Sequence, residues 1–294
     1  MNVGMIGLGA MGLSMARNLH RAQLLHRVWN RTPAKAQALA AEIGVAVSAD
    51  PVALARDCEA AVLCVSADSD VSAVVEALKS GVRPGFLVID CSTVSAGTAR
   101  AAAQTLAPAG AAFLDAPVSG GVEGARDATL TIMVGADGAA FERALPVLKA
   151  LGRTVTRMGP VGAGQATKAT NQILCAGAIQ AAAEAMAFAK SEGLPLETVI
   201  AALSSGAGSS WYFVHRAPNM VRGSYPPGFR VRLHSKDLEI CKAMAGAHGV
   251  NLPLVEMTLV HFRRLIEAGY GDEDVSALFR LKDALFNPPA KAPA

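Results

Sequence analysis

Through the first half of the chain, short apolar runs of the kind that form strands alternate with alanine-rich amphipathic stretches of the kind that form helices. The runs are VGMIG (Val3 to Gly7), HRVW (His26 to Trp29), AAVLCV (Ala60 to Val65), FLVID (Phe86 to Asp90), AAFLDAPV (Ala111 to Val118) and TLTIMVG (Thr129 to Gly135). Strands alternating with helices predict a parallel sheet of doubly wound type. From Gly164 onward the strand pattern largely stops and long helical patterns dominate, beginning with Gln165 to Glu192. Gly and Pro cluster in MGPVGAGQ, Met158 to Gln165, which predicts a boundary there. The expected organisation is an α/β domain over residues 1–160 and an all-helical domain over 161–294, with a disordered tail from about residue 287 in NPPAKAPA.

Composition narrows the picture. The five cysteines (Cys58, Cys64, Cys91, Cys175, Cys241) are odd in number and widely spaced, with no Cys-x-x-Cys pair. That pattern points to a reducing compartment and to no metal site. The formal net charge is +3, and no long basic run is present, which argues against nucleic acid as the main ligand. A membrane span needs about 18 to 20 strongly apolar residues. The best candidate, Ala169 to Ala183, is interrupted by Asn171, Gln172 and Gln180, so no membrane partner is expected. The first residues lack a cationic start and are broken by four glycines, unlike a signal peptide, and a cytoplasmic location is expected.

The clearest motif is GLGAMG, in which Gly7, Gly9 and Gly12 form G-x-G-x-x-G between a predicted strand and a predicted helix. Glycines there permit a tight turn and close approach of backbone to a pyrophosphate, while the helix N-terminus offers free amides. Gly7, Leu8, Gly9, Ala10, Met11 and Gly12 are therefore expected to hold a dinucleotide. The second strand then ends in Asn30-Arg31 rather than in an acidic residue. An acid would repel a 2′-phosphate, whereas a guanidinium can clamp one, so Arg31 favours NADP, with NAD still possible. Asn30 can bond the ribose, and Thr32 followed by Pro33 suits a helix N-cap whose amides would face the phosphate.

With GLGAMG, VWNRT, DCST, DAPVSGG, GAGQATKATNQ and SKDL in this order, the chain resembles the β-hydroxyacid dehydrogenase family from Val3 to about Leu285. The family includes 3-hydroxyisobutyrate dehydrogenase and reductases of tartronate, glyoxylate and succinic semialdehydes. The resemblance implies a Rossmann-type domain and a helical domain joined by a long helix, with the active site in the cleft between them. It also implies a homodimer or homotetramer formed through the helical domains, and a small substrate bearing a carboxylate.

The resemblance implies roles for particular residues too. Lys168 matches the catalytic lysine, and it is a lone charge in the first turns of a helix otherwise nearly free of charge. Asn171, three residues on, shares its helix face and would orient the proton donor. Gln172 stands where many relatives have a second Asn. Ser119, Gly120 and Gly121 would grip the substrate carboxylate, at the C-terminal end of the strand AAFLDAPV. Val65-Ser66, in place of the usual Leu-Pro, and Ser92-Thr93 would contact the cofactor. Lys236 and Asp237 would open a helix beside cofactor and substrate, Asp237 also suiting an ordinary first-turn acid. Trp211 and Phe229 suit either a substrate-facing wall or the core, and Arg230 a second carboxylate partner. 6-Phosphogluconate dehydrogenase is a longer chain that follows its lysine with His-Asn, which does not match Asn171-Gln172. Imine reductases usually lack this lysine.

Overall fold

The computed structural model describes residues 1–287, and the tail expected to be disordered lies, from Pro288, outside the described residues. These residues divide into two compact units, Met1–Lys168 and the remainder from Ala169.

The first unit carries β1 (Val3–Ile6), α1 (Ala10–Arg21), β2 (Leu25–Trp29), α2 (Pro33–Ile43), β3 (Ala46–Val47), α3 (Pro51–Asp57), β4 (Ala60–Leu63), α4 (Asp68–Leu78), β5 (Leu87–Asp90) and α5 (Ala96–Leu106). It continues with β6 (Ala112–Asp115), β7 (Val118–Ser119), α6 (Gly121–Arg126), β8 (Leu130–Gly135), α7 (Gly138–Leu151), β9 (Gly152–Gly159) and the start of α8 (Ala163–Ser191). The strand order is β3-β2-β1-β4-β5-β6-β8-β7, with β9 added to β8. The first six strands are mutually parallel and form a Rossmann-type doubly wound sheet. Both faces are covered over β1, β4, β5 and β6, which is why these four strands read as continuous apolar runs. Alternate residues go to opposite sides: Met5, Val62 and Ile89 pack in one cluster, and Ile6, Leu63 and Val88 in the other.

Three features depart from the sequence pattern. AAFLDAPV is not one strand. It breaks after Asp115, and beyond Pro117, which has no N–H to donate, Val118 and Ser119 pair antiparallel with β8. β8 also runs antiparallel to β6, so the sheet is mixed at this edge. The third is β9, GRTVTRMG, which carries one partly buried apolar side chain, Val155, among exposed Arg and Thr side chains and an exposed Met158. An edge strand with so little to bury has no apolar run to announce it.

The division between the units falls inside α8, later than the Gly-Pro cluster. The reason is visible in its first turns. Asp115 Oδ1 accepts from Gly162 N at 2.7 Å, and Oδ2 accepts from Gln165 N at 2.8 Å. The side chain of Gln165 donates to Ser92 O at 2.8 Å and accepts from Val94 N at 3.2 Å. The sheet thus caps the helix with a carboxylate and clamps its first turn.

The second unit comprises the rest of α8 with α9 (Leu196–Leu203), α10 (Trp211–Arg222), α11 (Val231–Gly246), α12 (Pro253–Glu267) and α13 (Phe279–Phe286). Its core gathers Ile179, Met186, Phe213, Met220, Leu238, Phe262 and Phe279. By length and composition α8 is apolar enough to cross a bilayer, yet half of its most apolar window is buried within the protein. Its apolarity has a packing explanation.

Asp115→Ala should lose the cap and leave buried amides unsatisfied, a cost of roughly 2 to 4 kcal/mol. Urea denaturation checks this, and an unchanged midpoint would show that α8 does not depend on the cap.

Candidate active site

The glycine loop follows β1 at the point where strand order reverses between β1 and β4, the usual ligand position in such sheets. Gly7 has φ +92°, and a Cβ on it would lie 2.3 Å from Cys64 O; one on Gly12 would lie 2.0 Å from Gly7 O. Both glycines are demanded by the turn and by the approach of α1 to the loop. Gly9 differs, because a Cβ there would meet nothing within 4 Å. Open space lies over an α1 N-terminus that has no side-chain cap. The first-turn amides of Ala10, Met11 and Gly12 have no helical acceptor, so the site fits an anionic pyrophosphate. Leu8 is different from its neighbours. Its side chain is buried, and its amide donates to Asn30 Oδ1 at 2.8 Å. Asn30 also donates from Nδ2 to Thr32 O at 2.9 Å. Asn30 therefore ties the glycine loop to the end of β2, with one amide hydrogen left for a ribose.

Arg31 lies two residues past β2 with 80% of its side chain exposed, and its Nη1 is 2.6 Å from Asp70 Oδ1 in the first turn of α4. Asp70 is a residue that sequence reasoning missed. It is 39 positions away, and only the fold makes it a neighbour. Thr32 is the N-cap of α2 and Pro33 its first residue, but the Thr32 hydroxyl makes no capping bond; Pro33 has no N–H, and Lys35 N donates to Thr32 O at 3.2 Å.

Across the switch point, Ser92 Oγ accepts from Val65 N at 2.9 Å, and Ser92 N donates to Asp90 Oδ1 at 3.0 Å. These bonds secure the loop that lacks the usual Leu-Pro. Ser92 is buried, Thr93 half-buried and Ser66 exposed. Asp90 is fully buried, and burial pushes its carboxyl up to about 7, against the opposing effect of the Ser92 hydrogen bonds. Burial likewise raises the thiols of Cys58, to about 12, and of Cys91, which makes neither a ready nucleophile.

Lys168 is 7% exposed, and its Nζ donates to Val118 O at 2.8 Å. The contact brings the Lys168 amino group to the strand that continues into Ser119-Gly120-Gly121. Ser119 sits on β7, opposite Thr131 of an antiparallel partner, and not at the end of a parallel strand as expected. The cause is the break at Pro117. Gly120 (φ +131°) and Gly121 (φ +65°) then turn the chain into α6, which has no side-chain cap.

In the second unit, four side chains form a continuous chain. Asn171 Nδ2 donates to Gln172 Oε1 at 2.9 Å, Gln172 Nε2 donates to Asp237 Oδ2 at 2.7 Å, and Lys236 Nζ lies 3.0 Å from Asp237 Oδ1. Asp237 is not a first-turn acid. α11 begins at Val231, so Lys236 and Asp237 lie in its second turn, and Asp237 is buried. The helix begins earlier than its apolar pattern because VRLHS adds a turn held by Glu273 O and Gly271 O. Trp211 is not core: it is 56% exposed at the start of α10, stacked on His215 with Arg216 over its ring. Phe229 packs against the second unit's core and against His234. Arg230 pairs with Asp272 at 3.5 Å. None of these three joins the Asn171 chain.

Residues 2–159 match the model of the NAD binding domain of 6-phosphogluconate dehydrogenase, and residues 162–282 match the one described as NAD-binding of NADP-dependent 3-hydroxyisobutyrate dehydrogenase. The 2-hydroxy-3-oxopropionate reductase of Escherichia coli (strain K12) is 35% identical over 295 residues, covering 98% of this chain and 99% of the relative. The 3-hydroxyisobutyrate dehydrogenase from Salmonella typhimurium has a TM-score of 0.85 at 35% identity over 96% of this chain and 99% of its own. That of Mycobacterium tuberculosis, with L-serine, has a TM-score of 0.88 at 31% identity over 95% and 98%. An imine reductase from Streptomyces aurantiacus, at 22% identity and a TM-score of 0.64, shares the fold.

Two outcomes are expected. Gly9→Ala should melt like the parent, because its Cβ meets no protein atom, yet weaken NAD(P)H binding by at least about 10-fold by filling the cradle. Isothermal titration beside a thermal melt separates the two effects. For Asp90, the folded value lies above the unfolded one, so the native state holds a proton that the unfolded chain releases between pH about 4 and about 7. Stability contributed by this group is greatest below that window and declines as pH rises through it. Asp90→Asn, which cannot ionise, should show a shallower fall in Tm from pH 4.5 to 7.5; an unchanged slope would contradict the assignment.

Proposed function

The chain belongs to the β-hydroxyacid dehydrogenase family of NAD(P)-dependent oxidoreductases acting on hydroxyacids, and on that premise we propose that it moves a hydride between NADP(H) and the terminal carbon of a short β-hydroxy acid or semialdehyde, with Lys168 as proton donor and acceptor. The observation that carries the reading is the buried Lys168, whose Nζ donates at 2.8 Å to Val118 O, the residue immediately before Ser119-Gly120-Gly121. A buried lysine bonded to the residue that precedes a hydroxyl and turn amides supports a substrate with an acid at one end and a reacting oxygen at the other.

The nicotinamide, when bound, accepts or supplies the hydride. In reduction Lys168 donates a proton to the developing alkoxide. In oxidation it must accept one, so alkaline pH favours that direction. Ser119, Gly120 and Gly121 hold the carboxylate, and Asn171 engages the reacting hydroxyl. Asp70 does not argue against NADP. An exposed pair such as Arg31–Asp70 is worth about 0 to 1 kcal/mol, less than paired charge-assisted bonds from a guanidinium to phosphate.

Relatives bearing the names 2-hydroxy-3-oxopropionate reductase, L-threonate dehydrogenase and NAD-dependent L-serine dehydrogenase define a suitable panel, since each named acid has a hydroxyl or carbonyl near a carboxylate. Exposed Leu174, Phe188 and Leu203 in the second unit support a homo-oligomer.

The test is NADPH and NADH oxidation with tartronate, methylmalonate and succinic semialdehydes and glyoxylate, and the reverse reaction with L-threonate, L-serine and 3-hydroxyisobutyrate. Lys168→Ala should lose at least about 100-fold in kcat while still binding NADPH. Near-parental turnover in that variant would remove Lys168 from the chemistry. Arg31→Ala should lower kcat/KM for NADPH at least about 10-fold with little change for NADH; equal losses with both would remove Arg31 as the 2′-phosphate ligand.

A further inference from the structure

The chain Asn171–Gln172–Asp237–Lys236 has a direction, and the direction follows from chemistry. A carboxylate has only acceptors. Asp237 carries two of them: Oδ1 faces Lys236 Nζ at 3.0 Å, and Oδ2 faces the Gln172 side chain at 2.7 Å. The Gln172 atom at that contact must therefore be the nitrogen. Its oxygen then points the other way, and the Asn171 atom meeting it at 2.9 Å must also be the nitrogen. Asn171 Oδ1 is left facing away from Gln172. Burial enforces the pattern, because Gln172 is 1% exposed and Asp237 5% exposed, so a reversed amide would leave two acceptors in contact without water to separate them.

We propose that Asp237 and Gln172 are positioning residues rather than substrate ligands: the carboxylate orients the Gln172 amide, which orients the Asn171 amide, so that Asn171 presents its carbonyl oxygen to a hydrogen-bond donor on the helix face it shares with Lys168. The inference rests on the hydroxyacid reading for the identity of that donor, the reacting hydroxyl. It makes the site selective for a group bearing a transferable O–H at the reacting carbon. An ether or methoxy analogue, which cannot donate, loses this contact whatever its size.

The device can be reversed as a unit. In Asn171→Asp alone, the new carboxylate faces Gln172 Oε1, and Gln172 cannot turn because Asp237 holds its nitrogen. In Asp237→Asn alone, the end that imposes direction is lost while shape is kept. In the double variant, the amide introduced at position 237 can donate to Gln172 Oε1 and accept from Lys236. Gln172 can then donate to the carboxylate introduced at position 171, which still offers an oxygen to the substrate. Every bond is satisfied with the polarity of the middle amide inverted.

Steady-state kinetics of the full chain with NADP+ and a hydroxy acid that it oxidises make the first test. Each single variant should lose roughly 10- to 100-fold in kcat, the scale of a misplaced reacting group. For Asp237→Asn, KM for the hydroxy acid should stay within about threefold, which a lost substrate ligand would not allow. The double variant should recover at least about 10-fold over Asn171→Asp, a coupling that independent sites do not show. A double variant no better than Asn171→Asp, or an Asp237→Asn protein with parental kcat, overturns the proposal. The second test needs no turnover. In 15N-labelled protein the side-chain amide protons of Gln172 should exchange at least about 10-fold faster in Asp237→Asn than in the parent; equal rates overturn the orientation claim. A parent protein inactive with every panel substrate while this exchange difference persists overturns the hydroxyacid reading and supports the imposed amide direction.

Discussion

Asp115 joins the sheet to the start of α8, and the placement of Lys168 depends on that join. It ends β6, lies buried against the sheet and spends both carboxylate oxygens on amides at the start of α8, Gly162 N and Gln165 N. Burial raises its carboxyl above the usual range, and the backbone amides that it accepts work against that rise. A charge at this depth is tolerable because the helix N-terminus supplies donors and a partial positive charge. What depends on it is the rotational setting of α8. Gln165 is clamped to Ser92 and Val94, and Lys168, one turn later, is aimed at Val118. The proton-transfer group of the proposed reaction is thus set by a cap on the sheet.

A second constraint is the crowding around the glycine loop. Gly7 and Gly12 have no room for a side chain, and a side chain on Gly9 would meet only open space. Three glycines that look equivalent in the motif therefore differ: two are demanded by the packing of the protein and one is not. Asn30 belongs to the same arrangement. By accepting from Leu8 N and donating to Thr32 O, it joins loop, strand end and α2 in one hydrogen-bonded unit. An amide can do both, whereas a carboxylate could only accept.

Polar side chains in this protein act mainly by giving direction to their neighbours. Ser92 both accepts from Val65 and is anchored by Asp90. Gln165 donates to Ser92 O and accepts from Val94 N in the one loop after β5. Asp237 imposes an order on two amides in succession. In each case a buried group with a fixed set of donors or acceptors leaves its partner a single satisfied orientation, and that selectivity comes from the cost of the unsatisfied alternative.

The apolar and amphipathic pattern of the chain was sufficient for the doubly wound sheet, for the change to helices and for the glycine cradle, because each rests on local sequence: short continuous apolar runs for strands buried on both faces, and a turn that only glycine fits. Helical spacing put Lys168 and Asn171 on one helix face. Short or exposed strands such as Ala46–Val47 and β9 were not legible, since they bury too little to mark the sequence. Nor was the break at Pro117, which turned one expected strand into two and moved Ser119 to an antiparallel edge. Asp70 beside Arg31, Asp115 beneath α8 and Asp237 behind Gln172 lie between 39 and 65 residues from the groups that they act on. Sequence alone determined which residue types were available and what local geometry they favour; only the tertiary fold decided which distant carboxylate meets which donor, because burial at one point in space, and not proximity along the chain, makes a hydrogen bond obligatory.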